Sequence, residues 1–124
     1  MIGYVTLGTN DLKRAAAFYD AICGELGVGR MFDTETFIAW GKPGGGAGIG
    51  LTKPFDGNAA TVGNGVMVAL EAKDRAQVDH IYELAISLGA QCEGKPGPRG
   101  PVPGFYAAYF RDPDGNKLNA FLMG

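Results

Sequence analysis

Apolar side chains recur along this chain on two different periods, and the switch between them marks its elements. Tyr4-Val5-Thr6-Leu7 alternates, as a strand with one buried face does. From Leu12 the spacing lengthens: Leu12, Ala15, Ala16, Tyr19, Ile22, Cys23 and Leu26 fall on one side of a helix. Asp11 stands where an N-cap is wanted, and the Leu26-Gly27 step suits a helix that ends in a left-handed residue. Shorter strand-like segments, around 28–33, 36–41 and 46–51, complete the first half, divided by turn residues.

The second half repeats the first. Met67-Val68-Ala69-Leu70 matches the opening strand, and the same displacement carries Asp11 onto Asp74 and Tyr19 onto Tyr82; a one-residue slip pairs Leu26-Gly27 with Leu88-Gly89. Val78, Ile81, Tyr82, Ala85 and Leu88 make the second helix's apolar face, and Asp74 with Gln77 has capping-box spacing. Strand segments are expected around 90–93, 104–111 and 116–123. The predicted order is βαβββ, twice, in one domain over residues 1–124: a first module of approximately 1–51, a linker over 52–63 and a second module of approximately 64–124.

The turns qualify this outline. Thr52 to Gly63 contains Pro54, Gly57 and Asn58 without periodicity and reads as the connector. Gly44-Gly45-Gly46 lacks the Lys-Ser/Thr ending of a phosphate loop and no helix follows it, so it reads as a hairpin. Gly94 to Gly104, with Pro96, Pro98, Pro101 and Pro103, reads either as a functional loop over a site or as a surface connection stiffened by proline. Asp112-Pro113-Asp114-Gly115 fits a type I turn closing the last hairpin.

Composition removes several function classes. With 11 basic against 13 acidic residues, a net charge of −2 and no basic stripe, nucleic acid is not an expected partner. No apolar run approaches a membrane span, so no membrane is expected, and a cytoplasmic protein is. Cys23 and Cys92, the two cysteines, have no CxxC or Cys/His cluster near them and read as buried free thiols, with a disulfide or reactive thiol as alternatives. His80, the single histidine, lies on the polar side of the second helix with Gln77, Glu83 and Ser87, away from any partner for catalysis.

The opening GYVTLGTNDLKRAAAFYDAICGELG, the duplicated βαβββ unit and the ending AAYFRDPDGNKLNAFL together resemble the vicinal-oxygen-chelate superfamily, which comprises glyoxalase, bleomycin-resistance and dioxygenase proteins. The resemblance spans essentially the whole chain. It implies an α+β fold, two βαβββ modules forming a curved mixed sheet around a cleft, and often a homodimer. It also implies a divalent metal held by His, His and Glu, but those positions fall on Tyr4, Met67 and Asn119. A phenol, a thioether and an amide are poor donors for such an ion, so no metal and no cofactor are expected.

By strand alternation Val5 and Leu7, like Val68 and Leu70, suit the face under the helix, leaving Tyr4, Thr6, Met67 and Ala69 opposite. Phe105, Ala107 and Tyr109 share one side of the penultimate strand, and Asn119 and Phe121 one side of the last. The expected ligand-binding set is Tyr4, Thr6, Met67, Phe105, Tyr109, Asn119 and Phe121. Met67 reads equally as core filling, Tyr4 and Tyr109 as satisfied aromatics, and Arg99 and Arg111 as surface cations. Trp40 has either face open to it. The favoured function is metal-independent binding of a small apolar or aromatic molecule. The alternatives are a lactoylglutathione-lyase-like or dioxygenase-like enzyme with atypical residues, with Tyr4, Tyr109 or Arg99 in acid–base or electrophilic work, and a non-catalytic structural or regulatory dimer.

Overall fold

The computed structural model describes residues 1–124, and the chain divides into two compact units, Met1–Val62 and Gly63–Gly124. The first carries β1 (Tyr4–Gly8), α1 (Leu12–Glu25), β2 (Arg30–Asp33), β3 (Phe37–Trp40) and β4 (Gly48–Thr52). Its sheet has the order β1-β4-β3-β2, with β1 parallel to β4 and the other pairs antiparallel. The second unit repeats this with β5 (Val68–Glu71), α2 (Arg75–Ser87), β6 (Gln91–Pro98), β7 (Tyr106–Arg111) and β8 (Lys117–Leu122), in the order β5-β8-β7-β6. The βαβββ duplication read from the periodicity is present in both halves.

Each helix starts and stops by the same devices. Asp11 accepts from the Arg14 amide at 3.1 Å and Asp74 from the Gln77 amide at 2.8 Å, so each carboxylate takes up an otherwise unbonded N–H of the first turn. The Gln77 side chain reaches back to the Lys73 N–H at 2.9 Å. At the other end Gly27 (φ 74°) and Gly89 (φ 99°) turn left-handed. Val28 N–H then reaches the Cys23 carbonyl at 2.8 Å, and Ala90 N–H the Ala85 carbonyl at 3.0 Å. Both ends are Schellman closures, which is what the two Leu-Gly steps encode.

Below each sheet lies its helix. Leu7, Ile38, Trp40, Ile49 and Leu51 face Ala15, Phe18, Tyr19 and Ile22 in the first unit's core, and all are buried. Trp40 is therefore a core residue: it is 1% exposed, 5.8 Å from the Tyr19 ring, and its indole N–H donates to Asp20 at 2.9 Å. In the second unit Val78, Ile81 and Ala85 of α2 pack under Ala108, Phe110, Leu118 and Ala120.

Two readings from sequence are corrected. Gly94–Gly104 is not loop throughout, because β6 runs to Pro98 and Gly94, Gly97 and Pro98 pair with Tyr109, Ala107 and Tyr106. β6 is an edge strand whose register is interrupted on both sides of Gly94, and an edge with bulges tolerates prolines that a central strand would not. Cys92 is exposed, while Cys23 is buried; both are free. The stretch from Lys53 to Val62 belongs to the first unit, where the Asn10 side chain brackets Ala60, accepting its N–H at 2.7 Å and donating to its carbonyl at 3.2 Å.

Candidate functional site

The face of the first sheet turned away from α1 is built of aromatic residues over glycine. Tyr4 and Thr6 are exposed, as alternation requires, with Gly48 and Gly50 beside them in register. Phe37 and Ala39 continue this face on β3, and Phe32 pairs opposite Ala39 on β2. The Phe37 ring meets Tyr4 edge-on at 6.3 Å and Phe32 edge-on at 5.9 Å. A side chain at position 50 would put its Cβ 2.8 Å from the Phe37 ring, so that ring lies directly over bare backbone. The result is a hollow of about 380 Å³ whose walls include Tyr4, Met31, Phe32 and Phe37, with Lys42 and the Gly44–Gly46 hairpin at its side. It falls within the size range of small-molecule sites, and its lining is mostly apolar. A second hollow, of about 540 Å³, lies beside the start of α1 among charges of both signs, including Asp11, Lys13, Arg30, Glu35 and Lys53.

The corresponding face of the second sheet is more polar. Asn119 of β8 stands in register between Ala69 of β5 and Tyr109 of β7, and Phe121 stands opposite Ala107. Met67, one residue before β5 with the parity of Ala69, is 40% exposed. Phe105 and Phe121 pack at 6.2 Å between ring centres. The Tyr109 ring has two cations near it, the Arg99 guanidinium at 5.3 Å and the Lys117 ammonium at 5.6 Å. Asn119 is 2% exposed, and its Oδ1 has no hydrogen-bond partner; the Arg99 Nε is likewise buried and unpartnered. Leaving a buried acceptor unbonded costs about 1–3 kcal/mol.

Tyr4 thus lines the hollow of the first unit, and Thr6 shares its face without being part of the walls. Met67, Phe105, Tyr109, Asn119 and Phe121 share the helix-free face of the second. Sequence reasoning missed Met31, Phe32, Phe37 and Lys42. The alternation of Phe37 and Ala39 against Ile38 and Trp40 was the available signal, together with glycine at every second position from 46 to 50.

The family model for the Glyoxalase/Bleomycin resistance protein/Dioxygenase superfamily matches residues 1–120. The chain belongs to that superfamily. A solved glyoxalase/bleomycin resistance protein from Albidiferax ferrireducens is 36% identical over 100% of this chain and 99% of its own, with a TM-score of 0.90. A glyoxalase/bleomycin resistance protein/dioxygenase family enzyme from Burkholderia phytofirmans (18% identical, 98% of each chain, TM-score 0.77) shares the fold. So does a lactoylglutathione lyase from Agrobacterium tumefaciens (23% identical, 98% of this chain and 92% of that, TM-score 0.70). No curated protein matches the chain. At the positions where the sequence resemblance expects metal ligands stand Tyr4, 64% exposed, Met67 and the buried Asn119, and nowhere do three or more His, Cys, Asp or Glu side chains gather as a metal would need. A phenol, a thioether and a neutral amide do not fit a divalent ion: none is an imidazole or carboxylate, and none brings the negative charge that would offset the ion's desolvation.

Proposed function

We propose that this superfamily member binds a small apolar or aromatic compound on the helix-free faces of its units, with no metal taking part. The observation that carries the reading is the hollow of about 380 Å³ walled by Tyr4, Met31, Phe32 and Phe37. Rings meeting edge-on, at interplanar angles of 65° and 64°, leave a slot into which a flat apolar molecule fits, and a glycine floor gives it depth. The walls supply few hydrogen-bonding groups, the Tyr4 hydroxyl and the Lys42 ammonium among them, and such a lining selects by shape and apolar contact. The mismatch of donors at Tyr4, Met67 and Asn119 supports the metal-free part of the reading.

Thermal melts with a panel of substituted benzenes and naphthalenes test it. Bound members raise the melting temperature in a concentration-dependent way, and Phe37→Ala weakens the best of them about tenfold by removing the ring against which both other aromatics lean. A broad panel without a single stabilising compound overturns the proposal. Melts with Ni²⁺, Zn²⁺, Mn²⁺ or Fe²⁺ show no chelator-reversible shift. A stoichiometric metal in the purified protein, or such a shift, points instead to a metalloenzyme of the glyoxalase type.

A further inference from the structure

We infer that the hollow of the first unit takes an elongated aromatic carboxylate, its rings against Tyr4 and Phe37 and its acid group on the Lys42 ammonium. The inference rests on the reading that this hollow binds an apolar or aromatic compound, and adds the charge such a compound carries and the end at which it carries it.

The hollow is polarised along its length. Phe37 opens β3 opposite Thr52, and the rings of Tyr4 and Phe32 lean on it. Lys42 follows the other end of β3, in the hairpin that leads to β4, and is the one charged side chain among the walls. An apolar lining with a single cation at one end fits a ligand that is flat and apolar over most of its length and anionic at its tip.

That cation has no acid of its own sheet to pair with. β1, β3, β4 and the hairpin over 41–47 contain no acidic residue, and the one acid of β2, Asp33, is held by Arg30 at 2.8 Å. Arg30 also holds Asp20, and its guanidinium lies 5.8 Å from the Trp40 ring on the helix side. The sheet therefore neutralises the cation on its covered face and leaves the one beside the hollow open. Lys42 is also placed by the backbone. Gly45 N–H donates to the Lys42 carbonyl at 2.9 Å, and Gly44 at φ 70° after Pro43 makes the turn type II. A side chain at position 45 would put its Cβ 2.9 Å from Lys42 Cβ and 3.8 Å from its Cδ, so the lysine stem lies along bare backbone. A stem laid against the turn loses less freedom when its ammonium takes an anion.

The test compares 2-naphthylacetate with its neutral isostere 2-naphthylacetamide and the cationic 2-naphthylmethylammonium, by calorimetry and thermal melts on the whole protein. The acid binds about fivefold more tightly than the amide, the size of a partly exposed ion pair, and the ammonium binds most weakly. Lys42→Gln brings acid and amide level, Lys42→Arg keeps them apart, and sodium chloride at about 1 M narrows the gap in the wild type. Lys42 is exposed, so neither variant disturbs the core. A preference for the acid that survives in Lys42→Gln, or an ammonium that binds as tightly as the acid, overturns the inference. Equal binding of all three compounds, weakened together by Phe37→Ala, overturns it while sparing the apolar reading of the hollow; no binding of any overturns both.

Discussion

Asp20 sits on the exposed rim of α1, yet three hydrogen bonds from two side chains converge on it. Arg30 grips it with two bonds, from Nε at 2.9 Å and Nη2 at 2.8 Å, and the buried Trp40 indole donates at 2.9 Å. The bond from Arg30 is the main cause that holds the carboxyl below its usual 3.8, with Trp40 adding to it against partial desolvation. Exposed ion pairs contribute little, so the larger loss in Asp20→Ala is the acceptor of a buried N–H, and a destabilisation of about 1–2 kcal/mol is expected in urea melts. Because the folded value is depressed, this contribution is present above about pH 4 and fades as pH falls below 3.8 through the folded value. The gap between wild type and Asp20→Asn should close on that side. None of it was legible in sequence, because Asp20, Arg30 and Trp40 are joined only once α1 lies across β2 and β3. The identity of Tyr4 and Asn119 as facing residues was legible, since alternation alone decides it; the unmet hydrogen bond of Asn119 was not, since it depends on what surrounds the amide.

At the scale of elements, punctuation did most of the predicting. Asp11, Asp74 and the two Leu-Gly steps mark both helices because each cap is a local contract between residues three to five apart. The last hairpin is similar. Asp112, 3% exposed, accepts from the Asp114 and Asn116 amides at 2.9 Å each and from the Asn116 side chain at 3.0 Å, while Gly115 turns left-handed at φ 92°. Asp112→Ala removes all three bonds and should cost about 2–3 kcal/mol, measured as a lower urea midpoint at unchanged slope. The continuation of β6 beyond the predicted 90–93 segment, to Pro98, escaped prediction for the opposite reason. Its pairing with β7 is non-local, and its composition, Gly94-Lys95-Pro96-Gly97-Pro98, reads as loop until an edge position makes proline acceptable.

Across the molecule, duplication was the most readable property, and divergence between the copies is what the structure adds. Two units share one strand order, yet the first presents rings over glycine and the second an amide among cations. The thiols divide in the same way. Cys23 is buried beneath the first sheet and burial pushes its pKa up to about 12, whereas Cys92 is exposed on β6. A disulfide-exchange reagent at pH 8 should titrate one thiol in the native protein and two in denaturant, with Cys23→Ser leaving the native count unchanged. The lone tryptophan is equally partitioned. Its indole lies on the helix side of the first sheet, held by Asp20, while Tyr4 and Tyr109 stand on the opposite faces. Emission excited at the red edge therefore reports whether the first unit is folded and stays silent about what occupies the far side of its sheet. Tyrosine fluorescence carries that second message, so one cuvette can separate binding from unfolding.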